Sequence, residues 1–433
     1  MKADMIHHNM KKRLDRIGEP ARDFSWDLYE EHLDEISYYY NRQVIDSDDP
    51  YMLWPDVEQT EKRIGAHIEA LIGDGELALD YCLNKAEEGN PGVVYTAVRL
   101  LSHHRRNQGL MEVLENPNAD LPGYAKAVAD AFISYLPEEW YPVIRKMLVA
   151  ENPRWKRVAA DTIAVKRIPM EDELINALNS KADEVLPAII RASGRLRIEK
   201  ARHALARLST ESWCDETTYQ TCLALLRIHE KDAARLMLSQ QAVSGKCFLL
   251  MGLSGDDRFL SSLLKNAESK EVCEESLIAL GLTGYVSNVG ALIDCLGAGF
   301  HGRASALSLH MLTGAELYET VVIPDPADDN PENSPGLTVH RLSQNPDIWR
   351  GWWMRNKDGF DKTVRYRLGK PLSIHGLFHI LVSEKSPAFL RDLACEELVI
   401  RYDTDMTFDI CLPVAEQRNI LIGINKKWVD DGQ

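Results

Sequence analysis

At 433 residues, with 45% apolar and 27% charged residues, the chain has the make-up of a folded soluble protein. It is too long for one compact core, so several domains or an elongated array is expected. Its formal charge of −16 counts against general nucleic-acid binding, which needs a positive surface to displace counterions from phosphates.

The opening "MKADMIHHNMKKRLDRIGEP" is charged and lacks the apolar stretch of a secretory signal. No apolar run reaches bilayer length. A soluble, cytoplasmic protein without membrane contact is therefore expected. Residues 1–60 read as an N-terminal helical cap, with "HLDEISYYYNRQVIDSDDPYMLW" as a helix followed by an Asp/Pro turn.

From 61 to 320 one format recurs, an apolar helix, a tight turn and a second helix. "GELALDYCLNKAEEGNPGVVYTAVRLLSHH" and "LPGYAKAVADAFISYLPEEWYPVIRKMLV" show it less regularly, with Pro91, Pro122, Pro137 and Pro153 near helix starts, where proline's missing donor does no harm. Six later segments, among them "RVAADTIAVKRIPMEDELINAL" and "EESLIALGLTGYVSNVGALIDCL", place turns at Ile168, Ile198, Glu230, Asp256, Val286 and Glu316. Their spacing of about thirty residues is that of helical solenoid repeats. A lone hairpin cannot bury its apolar stripe, whereas stacked copies share one core. Leu277, Ile278, Leu280 and Leu282 make one such helix apolar on most sides, and Ala160, Ala192, Ala224 and Ala279 allow close approach. Gly194, Gly252, Gly281 and Gly284 are expected as left-handed helix caps. Strand signals are scarce.

Beyond 320 the texture changes. Residues 321–336, containing "IPDPADDNPENSPG", read as an acidic, proline-rich solvated loop. Residues 337–433 read as a C-terminal helical cap with a tryptophan cluster, in which "IWRGWWMRNKDGFDKTVRYRLGKP" leads into "SPAFLRDLACEELVIRY" and "PVAEQRNILIGINKKWV". The expectation is an all-α, right-handed α-solenoid of stacked helical hairpins with capped ends, first helices outside and second helices inside.

The repeats resemble HEAT-like repeats of the short type seen in phycobilisome-lyase relatives. "HLDEISYYYNRQ", "EKRIGAHIEALI", the array, "HRLSQNPDIWRGWW" and "RYRLGKP" together resemble a proteobacterial HEAT-repeat family often encoded near type VI secretion genes. That resemblance implies a cytoplasmic accessory of an interbacterial toxin system. It carries no catalytic residues over.

Candidate chemistry is thin. His375 and His379 are four apart in "SIHGLFHILVSE" with Glu384 nearby, but Gly376 stands where a zinc protease needs its glutamate. His229-Glu230 is a single dyad, where a di-iron site needs several, and reads as turn residues. His103-His104-Arg105-Arg106 reads as an exposed helix end, where cations favour the dipole. Cys82, Cys222, Cys247, Cys273, Cys295 and Cys395 lie singly in apolar stripes with no CxxC pair, as small buried hydrophobes do in a reducing compartment. No phosphate loop, nucleophile elbow or dinucleotide fingerprint occurs. No catalytic residue, cofactor or metal is assigned.

Two polar features remain. Between Arg154 and Arg207 basic residues gather, including Arg191, Arg195, Lys200 and Arg202. Interleaved acids and missing aromatics favour a salt-bridged face over a nucleic-acid groove, and an acidic protein surface would use the same residues. Trp349, Trp352 and Trp353, with Arg365 and Arg367 beside Tyr366, read either as an end cap or as a protein-binding anchor. The function expected is non-enzymatic protein binding. The role would be adaptor or chaperone for a secreted toxin or spike-associated protein, or immunity protein against one, with a basic partner suited to the acidic chain. The competing class is a HEAT-fold enzyme of glycosylase or lyase type.

Overall fold

A computed structural model describes residues 19–47, 49, 52–179, 184–210, 214–239, 245–269, 272–297, 301–323 and 337–430. The fold is all-α, with 22 α-helices and two short two-stranded sheets among the described residues. Most of the proline-rich loop, 324–336, lies outside them. The chain forms two compact units, each a stack of HEAT-like helical hairpins. The first comprises Met1–Leu208, Leu381–Asp392 and Thr407–Gln433; the second comprises Ser209–Ile380 and Leu393–Met406.

In the first unit, helices Pro91–His104, Tyr124–Ser134, Pro153–Lys166 and Leu186–Arg195 pack each on the next. Each is the leading helix of its hairpin. Starts follow from the sequence. Pro91 and Pro153 occupy the first turn, and Asn90 and Asn152 accept backbone N–H bonds from Gly92, Val93 and Arg154, which satisfies otherwise orphaned donors. The interiors are buried nearly all round: Val94, Ala97, Val98, Leu100, Ala159, Ala160, Ile163, Ala164 and Ile190 have almost no exposure. The polar residues inside are small and self-satisfied. Thr96, Ser102, Thr162 and Ser193 each donate to the carbonyl four residues back, at 2.8 to 2.9 Å, so each of these four hydroxyls has an acceptor.

Helix ends differ from the expectation. Gly284 does take the left-handed conformation (φ 82°), but Gly194, Gly252 and Gly281 lie inside helices. The left-handed turn position is held by Arg105, Arg167 and Arg197 in the first unit, and by His229, Gly255, Gly284 and Gly314 in the second. Side chains are thus tolerated in a region that normally favours glycine. Gly252 and Gly281 serve close packing instead. A Cβ on Gly252 would meet the Ala279 carbonyl oxygen at 2.7 Å, and one on Gly281 would meet Ser308 Cβ at 2.9 Å.

Polar contacts between neighbouring hairpins carry the same period. Arg106–Glu76, Arg105–Glu139, Arg145–Glu173 and Arg207–Asn179 in the first unit, with Lys246–Glu216 and Tyr285–Asp257 in the second, join residues 28 to 34 positions apart. Exposed pairs of this kind contribute roughly 0–1 kcal/mol each. Their consequence is register, because each joins polar groups one repeat apart.

In the second unit, helices Asp215–Arg227, Gly245–Ser254, Glu274–Thr283 and Gly302–Thr313 stack in the same way. The hairpin expected around Glu316 is not helical in its second half. Tyr318–Ile323 (β1) pairs antiparallel with Leu337–Leu342 (β2). The alternating, β-branched "YETVVI" and "LTVHRL" are the strand signal that the helical reading passed over. A second, smaller ribbon joins Tyr366–Arg367 (β3) to Lys370–Pro371 (β4).

Close packing sets a test. A Cβ on Gly92 would lie 2.5 Å from Ser37 Cα, a backbone atom of the helix Glu19–Ser47, whereas a Cβ on Gly65 meets nothing within 4 Å. Alanine gains about 1 kcal/mol over glycine in a helix interior, but overpacking against backbone costs about 1–3 kcal/mol. Gly92→Ala is therefore expected to lower stability and Gly65→Ala to raise it, with midpoints shifting in opposite directions in urea denaturation.

Candidate functional site

The carboxy-terminal segments meet the arrays through charge. In the first unit Lys166 Nζ lies 2.9 Å from Glu416, and Arg195 lies 3.5 Å from Asp392 and 3.6 Å from the buried Asp409. Burial alone would raise the Asp409 carboxyl, but Arg195, Arg191, the Cys411 N–H and Arg167 together hold it below the ordinary carboxylate range. Arg191 also pairs with Asp161 at 3.7 Å, and Lys200 with Glu171 at 3.4 Å. The basic stretch read from the sequence is thus interleaved with acids in space. Arg195 is turned inward, while Lys200 and Arg202 remain exposed.

The same unit sets two guanidinium groups against Trp54. Arg391 lies 4.0 Å and Arg418 5.0 Å from its ring centre, and its indole N–H donates to Gln417 at 2.8 Å. Burial, with Arg418 adding to it, pulls the Arg391 guanidinium down to about 10. Arg418 bonds Glu58 and Glu384, so Glu384, read from the sequence as a metal-ligand candidate, is engaged by an arginine. Glu61 accepts the N–H of Val414 at 2.9 Å, at the first residue of the helix Val414–Asp430. Burial pushes its carboxyl up to about 7, against the bond from Val414 and with help from Glu58.

In the second unit the arginines of "RYRLGKP" cover helix ends. Arg367 donates to the carbonyls of Gly281 and Leu282, each at 3.0 Å, and to Glu397 at 2.8 Å. Arg401 donates to Leu253 and Leu282 at 2.9 Å, and Arg365 to the Gly255 carbonyl at 2.8 Å and Asp257 at 2.6 Å. These oxygens belong to the last turns of Gly245–Ser254 and Glu274–Thr283 and the turns that follow, where helical carbonyls lack partners and the dipole favours cations. The ribbon lies directly on two left-handed glycines. A Cβ on Gly284 would meet Arg365 Cβ at 2.9 Å, and one on Gly314 would meet the Leu368 carbonyl oxygen at 2.5 Å. One helix over, Arg227 and Glu396 form a fully buried pair at 2.6 Å. Arg365 and Arg367, read from the sequence as end cap or protein-binding anchor, contact the ends of these helices; Arg367 is buried.

The tryptophans divide. Asn345 caps the helix Pro346–Asn356 by accepting the Asp347 N–H at 2.9 Å. Trp349 is fully buried, its indole N–H donating to the Ser343 carbonyl at 2.6 Å, so it is an anchor within the unit and not a surface contact. Trp352 and Trp353 are half-buried and border Phe360, with Trp353 at 5.4 Å between ring centres, and Phe360 in turn meets Tyr366 at 4.9 Å. Ile348, four residues before Trp352 and on its face of the helix, is 43% exposed, and Met354 is 67% exposed.

The remaining sequence candidates lie apart. His375 and His379 are exposed, and His229 Nε2 lies 2.8 Å from Asp403. Among the described residues no group of three or more His, Cys, Asp or Glu is arranged to hold a metal ion, and no helix is long and apolar enough to cross a membrane. The arginine caps were beyond sequence reasoning, because nothing local in "RYRLGKP" or "EELVIRY" names the carbonyls that they reach.

No family model matches the chain. No curated protein matches it. Two solved structures of Kap121p are similar to it, one bound to Nup53p and one bound to Pho4p, at 12% and 11% identity and a TM-score of 0.39 in each case. Each match covers 96% of this chain and 50% of the other, so the chain spans about half the length of the proteins it matches.

Two stability tests follow from the ties. Above the ordinary glutamate value and up to about 7, folded Glu61 keeps a proton that the unfolded chain has released. Stability therefore falls as pH rises through that window, by at most about 1.4 kcal/mol per pH unit from this group. Glu61→Gln, which still accepts the Val414 N–H, should flatten that decline when urea midpoints are compared across the window; identical slopes would refute the assignment. Glu396→Leu leaves the Arg227 charge buried and should cost about 3–5 kcal/mol, whereas Arg227→Met combined with Glu396→Leu should recover most of the loss, read in the same denaturation assay.

Proposed function

We propose that the chain is a non-enzymatic protein-binding scaffold whose anchor is the aromatic surface of the helix Pro346–Asn356. The observation that carries this reading is Trp352 and Trp353, half-exposed beside the exposed Ile348 and Met354, on a helix fixed from beneath by the buried Trp349. Tryptophan and methionine on a pre-formed surface, with Asp347, Arg350 and Arg355 exposed on the same helix, are the composition of interface anchors. Arg191, Arg195, Arg365 and Arg367 contribute to the fold instead, since their charge is spent on contacts within their own units.

The resemblance to a HEAT-repeat family near type VI secretion genes supports a finer reading, an accessory of a toxin system. As adaptor or chaperone it would hold a toxin before loading; as immunity protein it would block one. Co-expression with the product of the adjacent gene separates these roles. An immunity protein restores growth, whereas an adaptor forms a complex without rescue.

The anchor itself has a direct test. Trp352→Ala with Trp353→Ala should weaken capture of the partner from host lysate by more than about tenfold while far-ultraviolet circular dichroism stays unchanged. Undiminished capture by the double variant would defeat the assignment.

A further inference from the structure

The helix Glu19–Ser47 carries a second surface, distinct from the tryptophan patch. Between Phe24 and Asn41 the sequence holds five carboxylates, Asp27, Glu30, Glu31, Asp34 and Glu35, and no lysine or arginine. All five are exposed. Glu30 is taken by Tyr81 and Lys85, whereas Asp27, Glu31 and Glu35 make no ion pair with another described residue. On the same face, at seven-residue steps that return to nearly the same angle, stand Phe24, Glu31, Tyr38 and Ile45. Phe24 is 70%, Tyr38 60% and Ile45 71% exposed. The opposite face is spent on the fold, with Tyr29, Leu33, Ile36 and Tyr40 buried against the helices Trp54–Gly73 and Pro91–His104.

Resting on the protein-binding reading above, we infer that this face is a docking site for a basic amphipathic helix. Apolar residues of the incoming helix pack along Phe24, Tyr38 and Ile45, and its lysines or arginines meet Asp27, Glu31, Asp34 and Glu35. The chemistry selects that occupant over a second copy of the chain. Two such faces brought together would set acid against acid, and like charges across an interface are repelled. Three apolar side chains a heptad or two apart are the anchors by which a helix is read in a groove or along a partner helix. The surrounding carboxylates speed encounter with a cation-rich partner and make the complex sensitive to salt.

The intact chain is titrated with a fluorescein-labelled Lys/Leu amphipathic helical peptide, followed by anisotropy, with a Lys/Ser peptide of equal charge as control. The expected result is salt-sensitive binding of the Lys/Leu peptide at least about tenfold tighter than the control. Hydrogen exchange should slow within residues 24–45. Reversing the charge at Asp27, Glu31, Asp34 and Glu35 to lysine, or replacing Phe24, Tyr38 and Ile45 by serine, should each weaken binding by about tenfold or more. Both variants change exposed side chains only, and circular dichroism checks their folding. No binding, affinity unchanged in both variants, or protection confined to residues outside 24–45 would each overturn the inference. The probe is independent of lysate capture through Trp352 and Trp353, so this surface and the general binding role fail separately.

Discussion

An apolar helix with no polar face cannot stand at a protein surface, and the leading helices Pro91–His104, Glu274–Thr283 and Gly302–Thr313 are buried nearly all round. Ala97, Val98 and Leu101 in one, or Leu277, Leu280 and Leu282 in another, leave no side for water. Neighbouring hairpins cover two flanks of such a helix and its own partner helix covers a third. The ends are the part that packing alone does not solve, because the last carbonyls of a helix are polar wherever they lie. In the second unit Arg365, Arg367 and Arg401 meet them. On the helix Ala388–Tyr402, Glu397 pairs with Arg367 and Arg401, and the adjacent Glu396 with Arg227, balancing cations that burial would otherwise destabilise.

The helical hairpins and their period were legible because both are local. Apolar periodicity, proline at helix starts and turns near Ile168, Ile198, Glu230, Asp256 and Val286 need no knowledge of distant residues. The turn chemistry was less so. Arginine or histidine in a left-handed turn gives no sign in composition, and glycine inside a helix looks the same whether it caps an end or admits a neighbour. Only the contact of Gly252 with Ala279 separates the two. The strand Tyr318–Ile323 is hard to read for a related reason, since it follows several helical hairpins and only its own alternation sets it apart.

Charged candidates were the least legible part. An arginine's role is set by what lies opposite, and for Arg195 that is Asp392 and Asp409, 197 and 214 positions on in the chain. Trp349 and Trp352 share a motif and a helix, yet one is sealed and the other half-exposed, because the backbone at Ser343 turns back to meet the first. The acidic face of Glu19–Ser47 was in principle readable, as a run of carboxylates without cations. What composition could not supply was that Phe24, Tyr38 and Ile45 stay uncovered after folding.

The first unit is discontinuous, and that bears on how the molecule is made. Trp54 bonds Gln417, 363 residues on, and Lys166 pairs with Glu416, 250 residues on. Closing so long a loop adds little to the equilibrium cost, which grows only logarithmically with length. Time is the larger matter. At roughly 5–20 residues per second, the ribosome delivers the amino-terminal hairpins tens of seconds before the helix that completes them. Throughout that interval the nascent chain presents apolar and charged surface around Trp54 and Lys166, which the helix Val414–Asp430 then covers.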